Sequence, residues 1–78
     1  MTPIDEQDQE LLIAIGQRIK ELRKSEKIAY IQLAKEIGIS RNALSLMESG
    51  KVYFKFSALL KILRYFDIGV QEFFKDLK

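Results

Sequence analysis

Apolar side chains recur at spacings of three and four residues along most of the chain, which is the period of a helix with one buried face. Between residues 8 and 26 one such stripe is formed by Leu12, Ile15, Ile19 and Leu22. Leu11 and Ile13 lie off this stripe, so they are predicted to make a second contact, either with the tail of the chain or with another subunit. The pattern predicts a long first helix.

A shorter helix is predicted over residues 30–37, where the apolar positions share one face: Leu33, Ala34 and Ile37. Gly38 follows directly, and a glycine can take the left-handed conformation that ends a helix without steric cost. Ile39 can then turn inward, while the hydroxyl of Ser40 can cap the next helix. These residues predict a tight turn over residues 38–40.

The helix after this turn is predicted over residues 41–48, with Leu44 and Met47 buried and Gly50 at its end. A fourth helix is indicated by another apolar stripe, formed by Leu59, Ile62, Leu63 and Phe66. A fifth, short helix is predicted over residues 70–77. The loop over residues 52–56 is unusually apolar, and it either completes the core or forms part of an interface.

The residue types exclude several classes of function. The chain has 78 residues and neither cysteine nor histidine, which removes disulfides, thiolate nucleophiles, imidazole bases and most zinc sites. No paired carboxylates converge, so we predict no enzyme activity, no metal and no cofactor. No apolar run reaches the length of a membrane span, and the first ten residues are acidic, unlike a signal or transit peptide. A cytoplasmic protein without membrane contact is predicted.

Charge is distributed unevenly along the chain. The net charge is +2, but residues 1–10 carry four acidic residues and no basic one, so residues 11–78 hold 13 basic against 7 acidic residues. We expect residues 1–10 to form either an acidic N-terminal arm or the start of helix one, and residues 11–78 to form the domain. A basic domain favours polyanions such as nucleic acid.

Three stretches resemble the Cro/C1-type, or XRE, family of helix-turn-helix proteins. They read IGQRIKELRKSEKI, QLAKEIGISRNALSLMESGK and ALLKILRYFDIGVQEFF, and together they cover residues 15–74. The Leu-Ala, Gly-Ile-Ser and Glu-x-Gly elements occur in register with the flanking helices. The resemblance implies an all-α, compact, five-helix lambda-repressor-like domain that binds double-stranded DNA, with its third helix in the major groove.

Four residues of the third helix face base edges by this resemblance: Arg41, Asn42, Ser45 and Leu46. An arginine can donate two hydrogen bonds to guanine, an asparagine can pair with adenine, and a leucine can cover a thymine methyl group. The alternatives are a solvated arginine, an asparagine that satisfies local backbone groups, and an exposed leucine without a function.

Contacts with DNA phosphates are expected for residues near helix starts, at the end of the third helix and in the following loop: Tyr30, Ser40, Ser49, Lys51 and Lys55. Relatives commonly carry a hydroxyl cap and a glutamine where this chain has Ala29 and Tyr30. Tyr30 can therefore either bind a phosphate or pack against the loop. Glu48 is implied to form a structural pair with Arg23, and the alternative is a free surface acid.

One such domain reads few base pairs, so the resemblance implies a repressor-like transcriptional regulator that binds a pseudo-palindromic operator as a homodimer. The candidate interface consists of apolar residues of the last two helices: Tyr65, Val70, Phe73, Phe74 and Leu77. The alternative is that Phe73 and Leu77 belong to the core. Two other functions stay open, namely the antitoxin of a toxin–antitoxin pair, with a toxin or other protein partner, and a restriction-modification controller.

Overall fold

Five α-helices contain most of residues 4–77, the part of the chain that the computed structural model describes. In chain order they are α1 (Glu6–Ser25), α2 (Tyr30–Ile37), α3 (Arg41–Ser49), α4 (Phe56–Phe66) and α5 (Val70–Lys75). Residues 4–77 contain no strand. The prediction of an all-α, five-helix domain is therefore confirmed.

The start of α1 lies within the acidic segment. Asp5 caps the helix by accepting a hydrogen bond from the Gln7 amide at 3.1 Å, and helical structure begins at Glu6. Residues 6–10 are thus the first turns of α1, while the first three residues of the predicted arm lie outside the described part. Acidic side chains near the amino end of a helix interact favourably with its dipole.

The tight turn between α2 and α3 has the geometry that its sequence predicts. Gly38 adopts a left-handed φ of 77°, and the Gly38 and Ile39 amides both donate to the Ala34 carbonyl at 3.0 Å. Ser40 then caps α3, because its Oγ accepts from the Ala43 amide at 3.0 Å. Both ends of the turn are therefore fixed by hydrogen bonds, and these fix the direction in which α3 leaves it.

The core is built from buried side chains of all five helices. Its largest fully buried side chains are Phe73, Ile19, Leu33, Leu44, Leu59, Ile62 and Leu63. Phe66, Ile39 and Phe54 pack against this cluster from partly buried positions. Each predicted helix contributes its apolar stripe, which is the arrangement expected of amphipathic helices around one core.

Gly16 allows α1 and α3 to cross closely. A Cβ added at Gly16 would lie 2.5 Å from the Glu48 carbonyl oxygen and closer still to the carbonyl oxygen of Met47. Backbone meets backbone at this point, so any larger residue would push α3 outward. The depth at which α3 sits therefore depends on a glycine in the middle of α1.

Of the two residues off the α1 stripe, Ile13 lies beside the end of α3 and near the tail of the chain, while Leu11 is 51% exposed. A Cβ on Gly50 would lie 2.7 Å from Ile13 Cα, and Ile13 lines a cleft of about 260 Å³ together with Leu77. Arg18 pairs with Asp76 across the same cleft at 3.2 Å. Of the described helices, none is both long enough and apolar enough to cross a membrane.

Candidate nucleic-acid interface

The outer face of α3 is polar and open to solvent. Leu44 and Met47 are buried beneath the helix, with exposed fractions of 0% and 2%. The exposed residues of α3 are Arg41, Asn42, Ser45 and Ser49. The helix is therefore anchored by one side only, and its polar side chains project from the surface.

Leu46 occupies an intermediate position between this face and the core. It is partly buried and lines a groove of about 500 Å³ that separates α3 from the following loop and from α4. We call this the loop-side groove, and its walls include Val52, Phe54, Lys55 and Lys61. The predicted base-contact residues are thus brought to one surface, with Leu46 at its edge.

A second cleft, of about 340 Å³, lies on the opposite side of the α3 face. It is lined by Lys20, Arg23, Tyr30, Ser45, Glu48 and Ser49. The Tyr30 ring lies 5.9 Å from the Arg23 guanidinium carbon, a distance at which a cation and an aromatic face attract each other. Tyr30 therefore packs on Arg23 while 38% of it stays exposed.

Arg23 and Glu48 form a bidentate ion pair that joins α1 to α3. Arg23 Nε donates to Oε2 at 2.8 Å and Nη2 donates to Oε1 at 3.0 Å, while Nη1 donates to the Ile28 carbonyl at 3.0 Å. Their side chains are only 12% and 9% exposed. The hydrogen bond to Glu48 raises the pKa of Arg23, and burial opposes this rise. The Glu48 carboxylate is thus held within the protein, where the positive charge of Arg23 balances its negative charge.

The candidate phosphate contacts differ in how free their donors are. Ser40 uses its oxygen as the α3 cap, which leaves its hydroxyl hydrogen available. Ser49 instead donates its hydroxyl to the Leu46 carbonyl at 3.0 Å. Lys51 and Lys55 are both exposed, and Lys55 stands at the N-cap position of α4. Ala29 provides no side-chain cap for α2, because a methyl group cannot accept a hydrogen bond.

The apolar loop divides between core and surface. Phe54 and Val52 are partly buried, and Phe54 packs against the core, whereas Tyr53 and Phe56 are 49% and 55% exposed. The Tyr53 hydroxyl donates to Asp8 Oδ2 at 2.6 Å and accepts from the Asp5 amide at 3.3 Å. The loop is therefore tied to the start of α1, a contact that the sequence did not predict.

The candidate dimer residues do not all reach the surface. Tyr65 and Val70 are 42% and 39% exposed, and Phe74 and Leu77 are partly buried. Phe73 is fully buried, with its ring 5.3 Å from that of Phe74 in an edge-to-face arrangement. Its inclusion in the interface was wrong, because in a helix of six residues the inward-facing position is needed to close the core.

The sequence interpretation also missed Gly16 and Lys20. Gly16 follows Ile15 within the buried stripe of α1, and a glycine inside a helix signals close approach of another backbone. Lys20 could have been found by placing it on the helix face next to Ile19 and Arg23, which both turn toward α3. Neither residue belongs to the turn over residues 38–40, on which the prediction of a DNA-binding site mainly relied.

A short helix, a left-handed glycine turn and a capped second helix with an exposed polar face together define a helix-turn-helix protein. The model of the family described as "Helix-turn-helix" matches residues 19–73. The chain belongs to this family, the XRE-type helix-turn-helix family of DNA-binding transcriptional regulators.

Known proteins that are similar to the chain include two transcriptional regulators and one protein of solved structure. The HTH-type transcriptional regulators PuuR of Escherichia coli (strain K12) and Shigella flexneri are each 30% identical over 64 residues, which is 82% of this chain. The chain spans only 35% of the length of these relatives. The crystal structure of the restriction-modification controller protein C.AhdI from Aeromonas hydrophila superposes with a TM-score of 0.74 and 29% identity. That match covers 80% of this chain and 94% of C.AhdI.

Proposed function

We propose that this chain is a sequence-specific, repressor-like transcriptional regulator that binds a pseudo-palindromic operator as a homodimer. The observation that carries the proposal is the exposed polar face of α3, which is anchored from below by Leu44 and Met47 and flanked by a cleft on each side. A helix presented in this way fits the major groove, and the two strands of the DNA backbone then run past its flanks.

The proposed base contacts follow the exposed face of α3 from its start. Arg41 and Asn42 lie in the first turn, where they can each donate to a base edge, and Ser45 lies one turn further along. Leu46 reaches the bases with its exposed edge only, so its proposed contact is with a thymine methyl group. Glu48 takes no part, because Arg23 holds its carboxylate.

The proposed phosphate contacts surround this face. Tyr30 and Ser40 stand at the starts of α2 and α3, where free backbone amides add to the attraction for an anion. Lys51 and Lys55 lie on the other side, in the loop after α3. Ser49 can join them only by exchanging its bond to the Leu46 carbonyl for one to a phosphate.

A homodimer is proposed through α4 and α5. Tyr65 and Val70 are large apolar side chains on the surface, and the partly buried Phe74 and Leu77 also belong to the proposed interface. One α3 helix contacts few base pairs, whereas two related by a twofold axis read two half-sites about 34 Å apart. Dimer formation therefore raises the affinity and also lengthens the DNA sequence that is recognised.

A restriction-modification controller is the more specific version of this function. It is favoured by the similarity of the whole five-helix fold to C.AhdI, a restriction-modification controller, at a TM-score of 0.74 and 29% identity. This version predicts that the chain binds DNA upstream of neighbouring genes for an endonuclease and a methyltransferase. Neighbouring genes of another kind would contradict it. The toxin partner stays a prediction, since no observation favours it.

Selection of bound duplexes from a random pool tests the proposed function. We expect two enriched half-sites in inverted orientation, with centres about one helical turn apart. A single enriched half-site would contradict the proposed homodimer. A pool without any enrichment would contradict sequence-specific binding.

A further inference from the structure

The loop-side groove runs alongside the outer face of α3. Leu46 belongs both to the edge of that face and to the wall of the groove, so the two surfaces are continuous. The groove holds about 500 Å³, and its walls are largely apolar through Leu46, Val52 and Phe54. A molecule lying along α3 would therefore enter the groove without leaving the proposed interface.

The charges that line the loop-side groove have one sign. Lys55 and Lys61 are its charged residues, and none of the described residues that line it is acidic. Ion pairs within residues 4–77 are Arg18 with Asp76 and Arg23 with Glu48, so neither lysine is neutralised there. Lys61 belongs to α4, so the groove receives a positive charge from a helix other than α3.

One wall of the groove is fixed from outside. Tyr53 lines the groove, and its hydroxyl bonds to Asp8 at 2.6 Å and to the Asp5 amide at 3.3 Å. These contacts hold the loop against the first turn of α1. The groove can therefore keep its shape when no ligand is bound, which reduces the cost of ordering it on binding.

We propose that the loop-side groove binds the deoxyribose–phosphate backbone of one DNA strand, with Lys61 as a further phosphate contact. The apolar walls receive the sugars, which have no charge, and Lys55 and Lys61 attract the phosphates. This assignment rests on the proposed DNA binding. It adds a residue of α4 to an interface that otherwise consists of α2, α3 and the loop after α3.

Substitution of Lys61 tests this site. Lys61→Ala lowers affinity for all sequences by about fivefold to tenfold near 0.1 M salt, and it lowers the slope of log affinity against log salt by about one. Lys61→Arg keeps the slope. The matched control is Lys35→Ala, because Lys35 is an exposed helical lysine outside the groove. Equal slopes for Lys61→Ala and Lys35→Ala would overturn the proposal.

A tethered cleavage reagent gives an independent measurement. Because the chain contains no cysteine, Lys61→Cys carries the only thiol, to which iron–EDTA can be attached. We expect cleavage within a few nucleotides on one strand beside the half-site, and weaker, dispersed cleavage from Lys35→Cys. Dispersed cleavage from both positions would place Lys61 away from the backbone.

The failure of this site can be distinguished from the failure of DNA binding. If Arg41→Ala changes base preference while Lys61→Ala leaves the salt slope unchanged, sequence-specific binding stands and the groove assignment is wrong. If the unsubstituted protein selects no sequence and shows no salt-dependent binding, the proposed function itself fails.

Discussion

Arg23 and Glu48 lie 25 residues apart in the chain, and their two side-chain hydrogen bonds, at 2.8 and 3.0 Å, join the end of α1 to the end of α3. A third bond from Arg23 to the Ile28 carbonyl includes the loop before α2. One guanidinium thus connects three segments around the proposed DNA-reading helix. The pair supports the position of α3 and leaves its polar face free.

Removal of the Glu48 carboxylate should therefore reduce the stability of the fold before it changes the preference for bases. Glu48→Ala leaves a largely buried guanidinium without its partner, and we expect the free energy of unfolding to fall by about 3 kcal/mol. Replacing both residues, as Arg23→Met with Glu48→Leu, should cost less than this single change. Urea unfolding measures both. Unchanged stability together with altered base preference in Glu48→Ala would show that Glu48 acts on DNA.

Gly16 and Gly38 should respond differently to the same substitutions. At Gly16 any Cβ meets the backbone of α3, so Gly16→Ala and Gly16→Asn should each cost about 1–3 kcal/mol. At Gly38 the space is open and only the φ of 77° opposes a side chain. Gly38→Asn should therefore cost less than Gly38→Ala, because asparagine tolerates this conformation. Thermal unfolding would contradict the close crossing if Gly16→Ala proved neutral.

Substitutions at Arg41 and Lys51 should affect two different properties, namely base preference and binding to the DNA backbone. Arg41→Ala should remove about 1–3 kcal/mol of discrimination at one base position. Lys51→Ala should weaken binding to all duplexes and lower the salt slope by about one. Binding titrations against the selected duplex and its single-base variants measure both. The assignment of Arg41 to the groove is wrong if its removal leaves the selected sequence unchanged.

The Tyr53–Asp8 hydrogen bond can be isolated with two charge-matched variants. Asp8→Asn and Asp8→Ala both remove one negative charge, but only asparagine keeps an oxygen that can accept from Tyr53. If the bond positions the loop that carries Lys51 and Lys55, Asp8→Asn should bind DNA more tightly than Asp8→Ala. Equal affinities would show that only the charge of Asp8 matters.

The same bond should make stability depend on alkaline pH. Its hydrogen bond to Asp8 raises the pKa of Tyr53 above the ordinary value of 10.0, so the neutral hydroxyl is favoured in the folded protein. The stabilisation is thus complete below pH 10 and is lost as the pH rises through the raised pKa. The difference in Tm between the unsubstituted protein and Tyr53→Phe should shrink above pH 10. A constant difference would mean that Tyr53 acts by packing alone.

The proposed dimer interface should be sensitive to a charge on α5. Val70→Glu places a carboxylate on the exposed apolar surface, and we expect a monomer in sedimentation equilibrium at micromolar concentration. Ile31→Glu is the control, since Ile31 is a 49% exposed apolar residue of α2, outside this surface. A monomeric unsubstituted protein at high micromolar concentration would remove the dimer.

The local pattern of the sequence determined the five helices and the turn. Apolar spacing fixes which face of each helix turns inward, and Gly38 and Ser40 specify an end and a start through backbone freedom and capping. These effects act between residues a few positions apart, so they can be deduced without the rest of the molecule. The resemblance supplied the candidate contacts on α3.

Only the tertiary structure decided which of these residues share a surface. It placed Phe73 in the core and tied Tyr53 to Asp8. It also brought Lys61 and Leu46 to the lining of one groove. Each of these relations joins residues far apart in the chain. A linear pattern contains the faces of the helices but not the distance between them, because that distance is fixed by the side chains and backbone that meet in the folded core.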